Sequence, residues 1–284
     1  MKAIPLTHQY VRVLTIAGSD SGGGAGIQAD LKTMAALGCY GMSAITALTA
    51  QNTQGVCAIH AAPAELLAAQ IDAVVSDIGA QGVKIGMLHS AEIVHTVAQA
   101  IDRHQLANIV LDPVMVSATG ARLIEHSAVE AIVQELFPRV AIITPNIDEA
   151  ALLLRRSVDR VADLAPAARA LLDLGVGAVL LKGGHLQGEE VHDLLACSNA
   201  SGEPVFHEMR APRIATQNLH GAGCTLSSAI AAHMALGFTL TESVEAARSY
   251  VREALISGAG VRTGAGVGPL DHGFAPLPTQ KWPL

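Results

Sequence analysis

Short apolar runs rich in Val, Ile and Leu alternate along the chain with longer stretches of helical periodicity. Residues 12–17 form such a run and read as a buried strand. A glycine loop follows, then a helix over about 25–37 that Gly38 stops. Further strands are expected over 41–50, 82–85, 108–111, 140–144 and 178–181. Between them, Pro63 suits the first turn of a helix carrying Leu66, Ala69, Ala73 and Val74. Ser90 is positioned to cap another helix running to about His104, and one more is expected over about 163–174. The pattern then changes: 191–196 and 204–209 flank the turn-rich Asn199-Ala200-Ser201-Gly202 and predict an antiparallel hairpin. Helices over 226–236 and about 241–258 and a Gly/Pro-rich tail complete the chain. No linker, internal repeat or low-complexity segment interrupts it, which predicts one domain over 1–284.

Half of the residues are hydrophobic but only 3% are aromatic, so the core must be built from Ala, Val, Ile and Leu. That mix suits an α/β fold, an open and mostly parallel sheet with helices on both faces and an antiparallel edge. A formal charge of -7 argues against a nucleic-acid footprint or a polybasic membrane contact, but leaves nucleotide binding open. The four cysteines, Cys39, Cys57, Cys197 and Cys224, are scattered and form neither a disulfide framework nor a zinc pattern. Reduced thiols in a cytoplasm fit best. The apolar run at 11–17 is too short for a signal peptide and enters a glycine loop directly. Residues 214–241 lack acidic and basic side chains but hold Gln217, Asn218 and His220; they read as a buried functional loop and helix, not a membrane span. Twelve histidines are present without a His-Glu-x-x-His pattern.

In an open α/β sheet, ligands bind beyond the carboxyl ends of the strands. The polar and glycine clusters at 18–26, Gln51-Asn52, Asp112, 146–149 and 182–185 all fall there. The loop Asn218-Leu219-His220-Gly221-Ala222-Gly223-Cys224-Thr225 opens onto a helix, leaving the amides around Ala222, Gly223 and Cys224 without intrahelical partners. Such amides at the positive end of a helix dipole suit a transferring phosphate. Cys224 sits at the edge of that field, which is expected to lower its thiol pKa and make it a better base. A tight turn packed beneath a helix is the alternative for an isolated Gly-x-Gly.

The run Gly24-Ala25-Gly26-Ile27-Gln28-Ala29 fits a loose dinucleotide fingerprint. A dinucleotide site, however, wants an acid about 20 residues on, and 47–51 reads Ala-Leu-Thr-Ala-Gln. Asp30 is either a hydrogen-bond acceptor for a small polar ligand or a solvated helix residue. Asn146 and Glu149, three residues apart, share a helical face. They either reach Mg2+ through water or only start a helix. Asp112 either helps hold the metal or caps a turn. In Lys182-Gly183-Gly184-His185 the glycines permit close approach of a flat or phosphorylated ligand and Lys182 supplies charge, unless the segment is a plain turn.

The segment from Leu14-Thr15-Ile16-Ala17-Gly18-Ser19-Asp20 through Gly26-Ile27-Gln28-Ala29-Asp30-Leu31-Lys32-Thr33 closely resembles the opening of hydroxymethylpyrimidine/phosphomethylpyrimidine kinases, members of the ribokinase superfamily. The likeness continues in order through 45–53, 84–88, 110–115, 143–146, 182–185 and 220–227, and so covers nearly the whole chain. It implies a three-layer αβα ribokinase-like fold and two successive phosphorylations by ATP with Mg2+ in thiamine biosynthesis. It also implies that Gly18, Asp30, Gln51 and Met87 line the pyrimidine pocket, and that Asn146 and Glu149 serve magnesium and phosphate, with Asp112 beside the metal. Lys182, Gly184 and Thr225 join Asn146 on the nucleotide side; Gly221, Ala222 and Gly223 form the anion hole, and Cys224 is the base. A cytoplasmic homodimer is the implied assembly. Leu219 and Ala222 stand where this family usually has threonines, and Ala265 where it usually has lysine. The rival readings are a pyridoxal kinase of the same fold and a non-catalytic pyrimidine-binding protein.

Overall fold

The computed structural model describes residues 4–115, 124–199 and 201–284; Ala200 of the expected hairpin turn lies outside them. The elements run β1 (His8–Tyr10), β2 (Arg12–Asp20), α1 (Gly26–Ala36), β3 (Tyr40–Asn52), β4 (Gly55–Ala61), α2 (Ala64–Asp77), β5 (Gly82–Ile85), α3 (Ala91–His104) and β6 (Ile109–Leu111). Then come α4 (His126–Ala131), β7 (Ile142–Ile143), α5 (Ile147–Leu154), α6 (Val161–Leu172), β8 (Ala178–Leu181), β9 (Glu190–Ser198), β10 (Pro204–Pro212), α7 (Ala222–Ala235), α8 (Leu240–Gly258) and β11 (Lys281–Pro283).

Strand alternation explains the layers. Leu14, Ile85, Leu111, Ile143, Val179 and Leu181 point into one apolar cluster that α2, α3, α4, α5 and α6 complete. Val13, Val110, Ile142, Ala178 and Leu180 point the other way, into a cluster completed by α1, α7 and α8. Successive side chains of one strand thus bury on opposite faces, as a sheet covered on both sides requires. Nine strands take the order β10-β9-β8-β7-β6-β5-β2-β3-β4. Pairing is parallel from β3 across β2, β5, β6 and β7 to β8, and antiparallel at β4, β9 and β10. From β2 the chain goes first to β3 on one side and later to β5 on the other. This reversal opens a crevice at the carboxyl ends.

The expected stops and caps are present. Gly38 has φ +79 just past α1, and the Ser90 hydroxyl accepts from the Ile93 amide at the start of α3. Pro63 stands at the N-cap position, one residue before α2 begins. Four differences matter. β3 runs on to Asn52, with a register shift between Ala50 and Gln51, so Gln51 stands on a strand end. The edge strand β4 and the small β1–β11 ladder were not expected, because partner strands define them rather than their own pattern. Neither was α4, a short helix. α7 begins at Ala222, four residues before the expected apolar stretch. Among the described residues, no helix is long and apolar enough to cross a membrane.

Candidate active site

The start of α7 fixes the geometry. Gly221 is held at φ +84, and a Cβ there would run into the Gly24 carbonyl. The close approach of these two loops therefore requires glycine. The Ala222 amide donates to the Leu219 carbonyl at 3.1 Å, so it is spent within the turn, contrary to expectation. Among the described residues, the amides of Gly223 and Cys224 have no protein acceptor. Both open on a cavity of about 800 Å³ that the ends of β2, β3, β5 and β8 also line. Two free donors at a helix N-terminus make an anion site.

Opposite this turn, Asp20 organises the glycine loop. Its carboxylate accepts from the amides of Gly22 at 2.8 Å, Gly24 at 3.1 Å and Ala25 at 2.9 Å. The His220 Nε2 lies 2.9 Å from the same group. Burial works against this carboxylate, but the His220 hydrogen bond and the Ala25 and Gly22 amides hold its pKa below the ordinary value. The amides of Gly22, Gly23, Gly24 and Ala25 are thus consumed within the loop, in contrast to the free amides at the start of α7. Sequence reasoning gave Asp20 and His220 no role. Their only available signal was their position beside the two glycine turns.

Gly18, Gln51 and Met87 meet at the cleft as expected. A Cβ on Gly18 would lie 2.7 Å from the Met87 methyl, so glycine leaves that side chain its place in the wall. The Gln51 Oε1 accepts from the Thr49 hydroxyl at 3.2 Å, and its amide nitrogen lies 3.3 Å from His220 Nε2. Asp30 departs from expectation. It is fully buried beneath the cleft, where its carboxylate accepts from Thr15 at 2.6 Å, Ser228 at 2.7 Å and Lys84 at 2.9 and 2.8 Å. Its position on the inner face of α1 makes it the counter-ion of Lys84 instead of a wall residue.

Cys224 lines the cleft, but its acidity runs opposite to expectation. The residue keeps partial exposure, yet burial of the thiol pushes it up to about 11, against the pull of Lys84. Desolvation outweighs the helix end here.

Asp112, Lys182 and Glu149 meet at the adjoining wall. Lys182 Nζ donates to Asp112 at 3.1 Å, and burial opposes its charge while Asp112 and Glu149 hold its pKa above the ordinary value. A Cβ on Gly223 would lie 3.2 Å from Lys182 Nζ, so that glycine lets the ammonium reach the free amides. Asn146 caps α5 and forms a reciprocal capping box with Glu149, both bonds 2.8 Å. The pair thus starts a helix, and both residues also line the cleft. Burial first, and then Asp112, push the Glu149 carboxyl up to about 7 despite Lys182. Two carboxylates sharing one ammonium leave room for more positive charge, and this donor set fits Mg2+. Among the described residues, no group of three or more His, Cys, Asp and Glu gathers for a metal held by protein alone.

Two expected nucleotide-side residues do not reach the cleft. The Gly184 carbonyl accepts from Arg213 at 2.7 Å in an outer loop. Thr225 is buried, its hydroxyl donating to the Gly221 carbonyl at 2.8 Å and lying 3.0 Å from His272 Nε2. It braces the turn from within.

A doubly covered sheet with a helix N-terminus opening on its switch-point crevice defines the class as ribokinase-like, and solved structures match it over most of their length. The chain belongs to the phosphomethylpyrimidine kinase family, whose model matches residues 20–271. It is 50% identical over 93% of its length to the hydroxymethylpyrimidine/phosphomethylpyrimidine kinase of Streptomyces coelicolor, covering 94% of that protein. The crystal structure of phosphomethylpyrimidine kinase from Clostridium difficile superposes with a TM-score of 0.75 at 43% identity, covering 86% of this chain and 99% of that one. The ADP complex of Bacillus subtilis pyridoxal kinase superposes with a TM-score of 0.85 at 34% identity, covering 93% and 98%.

Proposed function

We propose that the protein uses ATP to phosphorylate the hydroxymethyl group of 4-amino-5-hydroxymethyl-2-methylpyrimidine and then the resulting monophosphate, in thiamine biosynthesis. The observation that carries this reading is the pair of unpartnered amides, Gly223 and Cys224, opening on the cleft that Gly18, Gln51 and Met87 also line. Family membership supports the choice of acceptor.

In the proposed reaction the acceptor hydroxyl attacks the γ-phosphorus in line; an O–P bond forms and the bond to ADP breaks. The two amides donate to the phosphoryl oxygens as charge spreads over them, where fixed dipoles act without reorganising. Cys224, as thiolate, takes the hydroxyl's proton. Gly18, Gln51 and Met87 form the ring's slot, and Lys182 and Asn146 stand on the nucleotide side. Asp112 and Glu149 would hold Mg2+ directly or through water, where it would neutralise phosphate charge. The second acceptor is already an ionised phosphate, so a base matters less.

Incubation with magnesium-ATP and the pyrimidine alcohol is expected to give the monophosphate and then the diphosphate by mass spectrometry. No phosphorylated product at any enzyme concentration rejects the reading. A pyridine alcohol is the alternative substrate, favoured by the close superposition on pyridoxal kinase; kcat/KM on both alcohols ranks them. A homodimer, the proposed assembly, scatters light at twice the 29.3 kDa chain mass.

A further inference from the structure

Lys84 stands at the end of β5, fully buried from bulk water yet part of the cleft floor. Its ammonium is pinned by both oxygens of Asp30. Asp30 in turn accepts from Ser228, one helical turn beyond Cys224 on α7. Residues four apart share a helix face, so the ion pair is fastened to the face that carries the thiol. Gly86 keeps the space open, since a Cβ there would lie 2.7 Å from Lys84 Nζ and 2.9 Å from the Ala17 methyl. A buried ion pair is weak support for stability, because apolar residues of similar volume often serve a core as well. The core around it is mainly Ala, Val, Ile and Leu.

We propose that Lys84 is a positioning residue for the first phosphorylation: its ammonium, fastened through Asp30 and Ser228 to the helix face that carries Cys224, favours the thiolate at the moment it receives the acceptor's proton. The inference rests on the kinase reading above. Burial drives the Cys224 thiol up; Lys84 is the strongest influence opposing it, while the carboxylates of Asp30 and Asp112 add to the rise. Burial would likewise strip the proton from Lys84, but the charges of Asp30, Cys224 and Asp112 hold its pKa above the ordinary value. In the step itself, the hydroxyl proton passes to the Cys224 sulfur while the O–P bond forms and ADP departs. The thiol returns that proton to solvent between turnovers.

The test measures iodoacetamide labelling of Cys224 at alkaline pH by peptide-level mass spectrometry, which separates it from the exposed Cys57. The double variant Lys84→Met/Asp30→Asn leaves no orphaned buried charge, and Lys84→Gln is the second variant. Circular dichroism verifies the fold of each. Labelling is expected to slow by about threefold or more in Lys84→Gln, because the thiolate fraction falls, and to slow less in the double variant, where the opposing charge of Asp30 is lost as well. The first phosphorylation is expected to fall about tenfold and the second much less. A merely structural role exposes the thiol and speeds labelling, so unchanged or faster labelling in folded Lys84→Gln, or faster labelling in the double variant, overturns the proposal. Loss of fold in both variants assigns the pair to the core and overturns it too. If the native protein makes no phosphorylated pyrimidine, the kinase reading fails while the labelling arm still reads the coupling of Lys84 to Cys224.

Discussion

At the scale of single residues, the site is governed by burial working against charge. The Cys224 thiol, pushed up to about 11, is a strong but scarce base near neutrality. The first phosphorylation should therefore speed up with rising pH between about 7 and 9 while the second stays flatter, because only the first needs thiolate. Initial rates on the alcohol and on the monophosphate check this. Replacing Cys224 by Ala should cut the first transfer about a hundredfold or more and the second far less; equal losses in the two assays refute the base assignment. Glu149 adds a second pH effect, centred lower. Its folded pKa of about 7 lies above the ordinary 4.5, so the folded state binds the proton more tightly than the unfolded one. Its contribution is thus present below the unfolded value and lost as pH rises through about 7. Protonated Glu149 cannot hold a cation, so the magnesium concentration for half-maximal rate should climb as pH falls through that range. Glu149→Gln should weaken magnesium binding and flatten its pH dependence. The placement of Gly18 and Gln51 at strand ends could be read from the chain's glycine and polar clusters, whereas Met87 came only from the family resemblance. The direction of the Cys224 shift could not, since a sequence displays a helix start but not the desolvation around one sulfur.

At the scale of elements, two loops hold each other. Asp20 gathers the glycine-loop amides and meets His220, while Gly221 lets the Gly24 carbonyl press against the turn. Gly221→Ala puts a side chain at positive φ, costing about 1–2 kcal/mol before any clash is counted. Its collision with backbone should also move the free amides of Gly223 and Cys224. We expect a lower Tm together with lost ATP binding by calorimetry; a Tm loss with normal binding would show that the turn tolerates displacement. The punctuation of elements was legible where chemistry is local, as in the Ser90 cap and the Gly38 stop. Edge strands such as β4 were not, because pairing with β3 makes them strands. Asn146 and Glu149 show the same limit from the other side: their spacing was visible, but their reciprocal cap depends on atoms that only a folded helix end brings together.

At the scale of the whole molecule, both apolar layers lean on one sheet. Parallel strands send alternate side chains into opposite clusters, as Val13 and Leu14 do on β2 and Val179 and Leu180 on β8. Losing either helical layer would strip one face of the same strands, so the layers should unfold together. Scanning calorimetry is therefore expected to give one transition whose van't Hoff and calorimetric enthalpies agree; two separable transitions would contradict the one-domain reading. The cleft draws on both layers, with α7 from one side and Glu149 of α5 from the other. A nucleotide bridging them should move that single transition as a unit, by about 2.7 kcal/mol at a free concentration a hundred times its Kd. Glu149→Gln should shrink the shift seen with magnesium-ATP but not the shift seen with the pyrimidine alcohol, because only the nucleotide brings phosphates whose charge Mg2+ would neutralise.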